Sequence, residues 1–377
     1  MNFFKVFLLI ISLVFLSCNT VKNLFKEELQ NNEKLIMNNE QEFTIAVIPD
    51  TQEYTSFWNQ KKNRLLFQMD FRDIFTHQTE FIRQNSLVNG GNIVFAVHLG
   101  DLVSNLGNKN EEWEYAVNSM NLLKGYVPYG YVPGNHDYDS WIKFKSNGES
   151  HNVVSGAEKY LKYFGPASSI MEGQDWFGAF SPNGLSMWSV IDAKGCKILF
   201  LGLELEPSDD TILWAQTVID KNPDLPVIVY THAFLNLNSD FLDLHCKFPG
   251  EGNSAEELWD KLIYPNKNIF LVLCGHVAHI DDGESMRVDK NKYGYTVYSV
   301  LSNYQTRNHL YKDSGHRFIG STIGCGDGWM RFMIFNLKEK LIHVQTYSTE
   351  YKRLETDENS DFYLNIDWDW EKRFKNK

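Results

Sequence analysis

Short, almost continuously apolar runs punctuate the chain at residues 43–48, 93–99, 129–132, 197–203, 227–230, 269–274, 296–301, 329–335 and 341–346. A strand with one face in water alternates apolar and polar residues, whereas a strand covered on both faces is apolar throughout. These runs therefore require sheets with something packed on either side. Helical spacing supplies candidates for the covers. Phe67, Phe71, Ile74, Phe75 and Ile82 recur on one helix face, and Trp113, Ala116, Val117, Met120 and Leu123 on another. The pattern predicts an α/β chain, and no Pro- or Ser-rich linker divides residues 43–350, so that span reads as one domain with insertions. With 377 residues, 43% of them hydrophobic and 22% charged, a large core is available and disorder is excluded.

Polar, metal-competent residues stand at the ends of five runs. The first ends in Pro49-Asp50-Thr51-Gln52, the second in Gly100-Asp101, and the third in Gly134-Asn135-His136-Asp137. The run at 227–230 ends in Thr231-His232, and that at 269–274 in Gly275-His276-Val277-Ala278-His279. Alone, Gly-Asp is a turn and a single His is a packed or surface residue. In succession they matter, because ligand sites of α/β folds gather at the carboxyl ends of strands.

This order resembles the calcineurin-like metallophosphoesterase superfamily, whose pattern is Asp-x-His, Gly-Asp, Gly-Asn-His-Asp/Glu, a lone His and Gly-His-x-His. The Pro-Asp-Thr-Gln opening, Ser302-Asn303-Tyr304-Gln305 and the segment Gly326-Asp327-Gly328-Trp329-Met330-Arg331 resemble a bacterial secreted branch of it. The resemblance implies a four-layer α/β (α+β) fold, two mixed β-sheets in a sandwich flanked by helices. It implies two divalent cations about 3.5–4 Å apart that clamp a phosphoryl group and activate a water. Asp101 would bridge them, Asp50 would bind the first, and Asn135, His232 and His276 the second. His136 would face the substrate and protonate the leaving oxygen, with Asp137 as the carboxylate that fixes its tautomer. The mixed donor set suits Mn, Fe or Zn, with Mg a further option.

Two positions depart from the pattern. Gln52 stands where the superfamily has His; its amide oxygen is a harder, weaker donor that favours Mn or Mg. Ala278 stands where the final His belongs, and His279 substitutes only if the loop bulges. His98, inside a strand, reads as structural. At Arg331 a phosphate contact and an ordinary ion pair both fit. Asp281-Asp282 reads as a solvated acidic loop, and most aromatic residues as core.

The first residues read as an address. A basic start, the apolar stretch 6–16 and the end Leu16-Ser17-Cys18 resemble a bacterial lipoprotein signal, which implies lipidation of Cys18. The expected organisation is a signal at 1–17, a lipidated Cys and tether at 18–42, the phosphoesterase domain at 43–350 and an extension at 351–377. Cys196, Cys246, Cys274 and Cys325 form no disulfide framework, and Cys196 and Cys274, which adjoin apolar runs, read as buried free thiols. The formal charge of −12 argues against binding of nucleic-acid duplexes. The expectation is an extracytoplasmic, membrane-anchored phosphoesterase acting on a small phosphorylated substrate, with no protein partner indicated. The rivals are a degenerate phosphatase serving as a surface binding protein, and a nucleotide pyrophosphatase or nuclease.

Overall fold

Each of the apolar runs forms a strand. The computed structural model describes residues 40–55, 71–105, 109–146, 149–279, 282–307, 326–366 and 373. The signal and Cys18, Phe67, Asp281 and Cys325 lie outside the described residues. In chain order the strands are β1 (Glu42–Ile48), β2 (Ile93–His98), β3 (Tyr129–Tyr131), β4 (Ser140–Ser146), β5 (Glu149–Ser155), β6 (Phe177–Phe180), β7 (Met187–Ala193) and β8 (Cys196–Leu203). They continue as β9 (Val227–Thr231), β10 (Ile269–Cys274), β11 (Glu284–Lys290), β12 (Thr296–Ser302), β13 (Trp329–Asn336), β14 (Leu341–Ser348), β15 (Arg353–Leu354) and β16 (Asp361–Asn365). The α-helices are α1 (Asp73–Gln84), α2 (Asn110–Asn121), α3 (Glu158–Phe164), α4 (Asp209–Lys221) and α5 (Ala255–Leu258), the last running into a π-turn at Trp259–Ile263.

Two mixed sheets result. The first has the order β15-β14-β13-β1-β2-β3 with β16 also on β14, and the second β11-β12-β10-β9-β8-β7-β6. The neighbours β1, β2 and β3 are parallel, as are β8, β9, β10 and β12, and the remaining pairs are antiparallel. Alternate residues of one run enter different cores. Ile45 and Val47 face the second sheet, meeting Phe200, Ile228 and Leu273, while Ala46 and Ile48 face Ile74 and Phe75 of α1 and Trp113 of α2. On the far side, Leu199, Leu201 and Val229 pack against Ile212, Ala215 and Ile219 of α4. The result is helix, sheet, sheet, helix, and this double covering explains why the runs carry no polar alternation.

The strands that the apolar pattern does not reveal are those covered on one side. β7 alternates buried with partly or fully exposed residues, and β11 after Glu284 alternates partly buried with exposed ones, so neither forms a continuous apolar run. The described residues beyond 350 join the body: β15 and β16 extend the first sheet, and Arg373 is buried, donating to the carbonyls of Lys267, Thr296 and Ile269 at 2.7–2.9 Å. Cys246 and Cys274 are buried, and burial pushes both thiols up to about 12.

A buried ionic cluster ties the sheets together. Glu284 of β11 pairs with Arg331 of β13 and with Arg307, and accepts from Tyr304 Oη (2.6 Å), Thr346 Oγ1 (3.0 Å) and Ser360 Oγ (2.8 Å). Burial raises the Glu284 carboxyl, but the two guanidinium groups outweigh it and hold it below its ordinary value. Of the two readings open for Arg331, the ion pair is the one realised. Removing one partner of such a cluster strands a buried charge, so Arg331→Ala is expected to lower the unfolding free energy by about 3–5 kcal/mol in chemical denaturation. A loss below about 1 kcal/mol would show that the cluster does not hold the sheets.

Candidate metal centre

Six strand ends converge. Asp50 lies just past β1, Asp101 past β2, Asn135 and His136 past β3, His232 past β9, His276 past β10, and Asn303 past β12. The loops reach one another through glycines. A Cβ on Gly134 would stand 2.2 Å from Asp101 Oδ1, and one on Gly275 2.5 Å from Asp50 Oδ1. Asp101 (φ 51°) and His276 (φ 69°) themselves sit in the left-handed region, where ordinary side chains are disfavoured. The turns are thus bent to aim these side chains inward.

The decisive geometry is at His232. Its Nδ1 lies 2.9 Å from the carbonyl oxygen of Leu99, which only accepts, so Nδ1 carries the proton. Burial, only partly offset by Asp101, depresses its pKa and keeps the ring neutral. Nε2 is therefore a bare lone pair, yet it faces Asn135 Oδ1 at 3.0 Å, Asp101 Oδ1 at 3.5 Å and His276 Nδ1 at 3.1 Å. Ligating atoms of Asp101, His232 and His276 all lie within 4.8 Å of one another. Burial also pulls His276 down to about 3, so it too is a neutral donor. Acceptors crowded around one point without enough protons are what a cation satisfies.

The sequence comparison agrees with this chemistry. A family model described as calcineurin-like phosphoesterase matches residues 43–279. The chain belongs to this family. Its membership supports a hydrolase acting on phosphoester bonds, of a kind that usually binds divalent metals. A relative, the uncharacterized protein YvnB of Bacillus subtilis (strain 168), is 25% identical over 312 residues. The match covers 81% of this chain but 20% of that protein, so the chain spans about a fifth of its relative's length. Among solved structures, the phosphopantetheinyl hydrolase PptH of Mycobacterium tuberculosis matches 70% of this chain and 90% of its own, with 10% identity and a TM-score of 0.28. A protein of unknown function from Aquifex aeolicus, AQ665, matches 58% and 93%, with 20% identity and a TM-score of 0.22.

The rest of the phosphoesterase site divides into residues that join the cluster and residues that do not. Gln52 joins it: Nε2 donates to Asp101 Oδ2 (3.0 Å), while Oε1 is buried with no hydrogen-bond partner among the described residues. An orphaned amide oxygen beside a carboxylate fits a second ligand position. Asp50 accepts from Asn303 Nδ2 (2.7 Å) and from the His276 amide (3.3 Å). Burial and the charge of Asp101 hold the Asp50 carboxyl well above its usual range. Burial works on Asp101 in the same direction, but His232, His136 and His276 outweigh it and lower its pKa.

Three expectations need revision. His279 is exposed and bridges Asp282 through its backbone, outside the Asp101–His232–His276 group, so it does not replace the imidazole missing at Ala278. Asp137 does not hold the His136 ring. Its carboxylate accepts from the amides of Gly134 (2.8 Å), Leu102 and Val103 (both 3.1 Å), lashing the two loops together, while burial and Asp101 push it up to about 8. The carbonyl of Ser104 holds His136 instead, 3.1 Å from Nδ1. For Asp281-Asp282, the Asp282 carboxylate accepts from the Gly283 and Glu284 amides, a turn-forming role. His98 is structural as expected, bonded to Thr51 Oγ1 (2.9 Å) and the Gly100 amide (3.2 Å), with burial lowering it to about 3.

Asn303, Ser104 and Glu53 also shape the centre, and sequence reasoning misses their roles. Asn303 stands at the end of an apolar run just as the other ligands do, and that placement is signal enough. Ser104 acts through its backbone, which no side chain advertises. Glu53 lies next to Gln52; burial raises its carboxyl to about 7 against the lowering pull of His136.

The geometry has two measurable outcomes. Gly134→Ala must displace Asp101, and Mn²⁺ affinity by titration calorimetry is expected to fall at least about tenfold, as when groups supporting a ligand are removed; unchanged affinity would mean that Asp101 moves freely. Because Asp50's pKa is raised, the metal-free protein keeps that proton at mildly acidic pH, and a cation must expel it. Affinity should therefore fall as pH falls, and binding should release protons, seen as a heat that depends on the buffer's ionisation enthalpy. Asp50→Asn should abolish that release. A buffer-independent heat in wild type would contradict the assignment.

Proposed function

We propose that this phosphoesterase hydrolyses phosphate mono- or diesters at the cluster, with one divalent cation held by Asp101, Asn135, His232 and His276 and a second by Asp50, Gln52 and Asp101. The observation that carries the proposal is the bare Nε2 of His232, surrounded by Asn135 Oδ1, Asp101 Oδ1 and His276 Nδ1. Cations bound there supply positive charge to the phosphoryl oxygens and lower the pKa of water. The imidazole-rich position suits Zn or Fe and the amide-and-carboxylate position Mn or Mg. In a chain of formal charge −12 the field that attracts a phosphate comes from those cations.

The chain itself supplies the proton. His136 is only partly buried. Burial lowers its pKa, but Asp101, the Ser104 carbonyl, Glu53 and Asp137 together raise it above the ordinary value. With Nδ1–H spent on Ser104, Nε2 is the nitrogen that delivers its proton to the departing oxygen. The Asp101 side chain also accepts from the His136 amide (2.8 Å), which fixes the spacing between acid and cluster.

A second reading is favoured by one observation: with Ala278 in place of His and His279 turned to solvent, the Asp50–Gln52 position receives no imidazole from the Gly275–His279 segment. A phosphatase eroded there would bind a phosphorylated ligand without turning it over. We further propose an extracytoplasmic location, with a lipid on Cys18 as the membrane attachment. Supporting that reading are the basic start, the short apolar stretch and the Leu16-Ser17-Cys18 end.

The test is hydrolysis of aryl phosphate mono- and diesters after chelation, with Mn²⁺, Zn²⁺, Fe²⁺ or Mg²⁺ restored in turn. Activity should return with at least one ion, and Asn135→Ala or His232→Ala should lose about 10²–10³-fold in kcat while retaining the fold by circular dichroism. Metal-replete wild type no faster than these variants would refute the enzymatic reading and leave the binding one.

A further inference from the structure

The β4–β5 hairpin leaves the Gly-Asn-His-Asp turn directly, and its base is tightly fixed. Tyr138 is buried, with Lys247 Nζ 4.8 Å above its ring. The Asp139 amide donates to Gly156 O (3.0 Å), and its carboxylate accepts from the first amides of α3, Glu158 (2.6 Å) and Lys159 (3.2 Å). Further along, Val154 donates to the Cys246 carbonyl (2.8 Å), and Phe144 meets Phe248 edge-on at 5.2 Å.

Trp141 stands two residues beyond that fixed base. Its ring is 6.4 Å from the His136 ring, nearly perpendicular at 71°, and the residue remains 45% exposed. An indole left open to water beside the proton donor is unusual in a chain whose other large rings are mostly packed. Strand alternation puts Lys143 and Lys145, both exposed, on the same face as Trp141 and places Phe144 on the opposite one. Outward from the cluster the order is therefore His136, Trp141, Lys143, Lys145, with about 7 Å between successive strand positions on that face.

Resting on the hydrolytic reading above, we propose that Trp141 is the platform on which a planar ring in the substrate's leaving group stacks, and that Lys143 and Lys145, further out on the same face, receive a second anionic group carried by the sugar of that leaving group. The substrate class is then a nucleotide-like phosphoester: scissile phosphate at the cluster, base on Trp141, second phosphate toward the lysines. His136 delivers a proton to the oxygen that leaves with the nucleoside, so ring and acid must be neighbours, as they are. Stacking on an indole tolerates any base, since every base has a π-face. The lysines act at the surface, so their contribution is sensitive to salt.

The test compares adenosine 5′-monophosphate, adenosine 3′,5′-bisphosphate and glycerol phosphate as substrates of wild type, Trp141→Ala, Trp141→Phe and the Lys143→Ala/Lys145→Ala double variant. Trp141→Ala should lower kcat/KM for both adenosine esters about tenfold and leave glycerol phosphate within about twofold, with Trp141→Phe restoring most of the loss. The double lysine variant should weaken only the bisphosphate, less so at high salt. Equal losses on all three substrates, or none, overturn the proposal. Should wild type hydrolyse none of them, the hydrolytic reading fails, and calorimetric binding of the bisphosphate decides the stacking proposal separately. Weaker binding to Trp141→Ala than to wild type supports it, and equal binding overturns it.

Discussion

Several hydrogen bonds join the working ends of the two sheets, and one of them fixes the chemistry of the centre. His232, at the end of β9 in the second sheet, donates from Nδ1 to the carbonyl of Leu99, just past β2 in the first. Because a carbonyl only accepts, this contact decides the tautomer and leaves Nε2 bare. Everything else in the centre depends on that nitrogen's position, since Asn135, Asp101 and His276 are arranged around it. The glycines at 100, 134 and 275 let the loops close in, and the left-handed turns at Asp101 and His276 aim the side chains. Such strain is tolerated where packing over-determines it, and here two covered sheets supply the packing.

Burial sets the electrostatics. Asp50, Asp101 and Asp137 are all nearly inaccessible, and three ionised carboxylates so close would repel strongly. The site divides them. Asp101, ringed by imidazoles, has a lowered pKa, while Asp50 and Asp137 have raised ones. Cations reverse this balance by stabilising the ionised forms, so metal binding, proton release and readiness for an anionic substrate are one coupled equilibrium.

The apolar runs announce the two covered sheets because residues such as Ile45 and Ala46 enter different cores. The single-sided strands β7 and β11 are not visible in the same way. Asp50, Gln52, Asp101, Asn135, His232 and His276 are legible as residues at strand ends, and the fold brings them together. What sequence spacing does not convey is which neighbour a side chain chooses. Asp137 prefers backbone amides to the adjacent imidazole, since three N–H groups satisfy a buried carboxylate better than one ring nitrogen. His279 lies on the solvent side of a loop whose turn Asp282 forms. Trp141, one aromatic among many in the sequence, acquires meaning only when the hairpin sets it beside His136.

The central claim is that the lone pairs around His232 Nε2 hold a metal ion. Anomalous diffraction from crystals equilibrated with Mn²⁺ or Zn²⁺ tests it most directly. A peak bonded to His232 Nε2, Asp101, Asn135 and His276 is expected, together with its loss in His232→Ala. No peak at that point in metal-equilibrated wild type, or a peak that persists there unchanged in the variant, would contradict it.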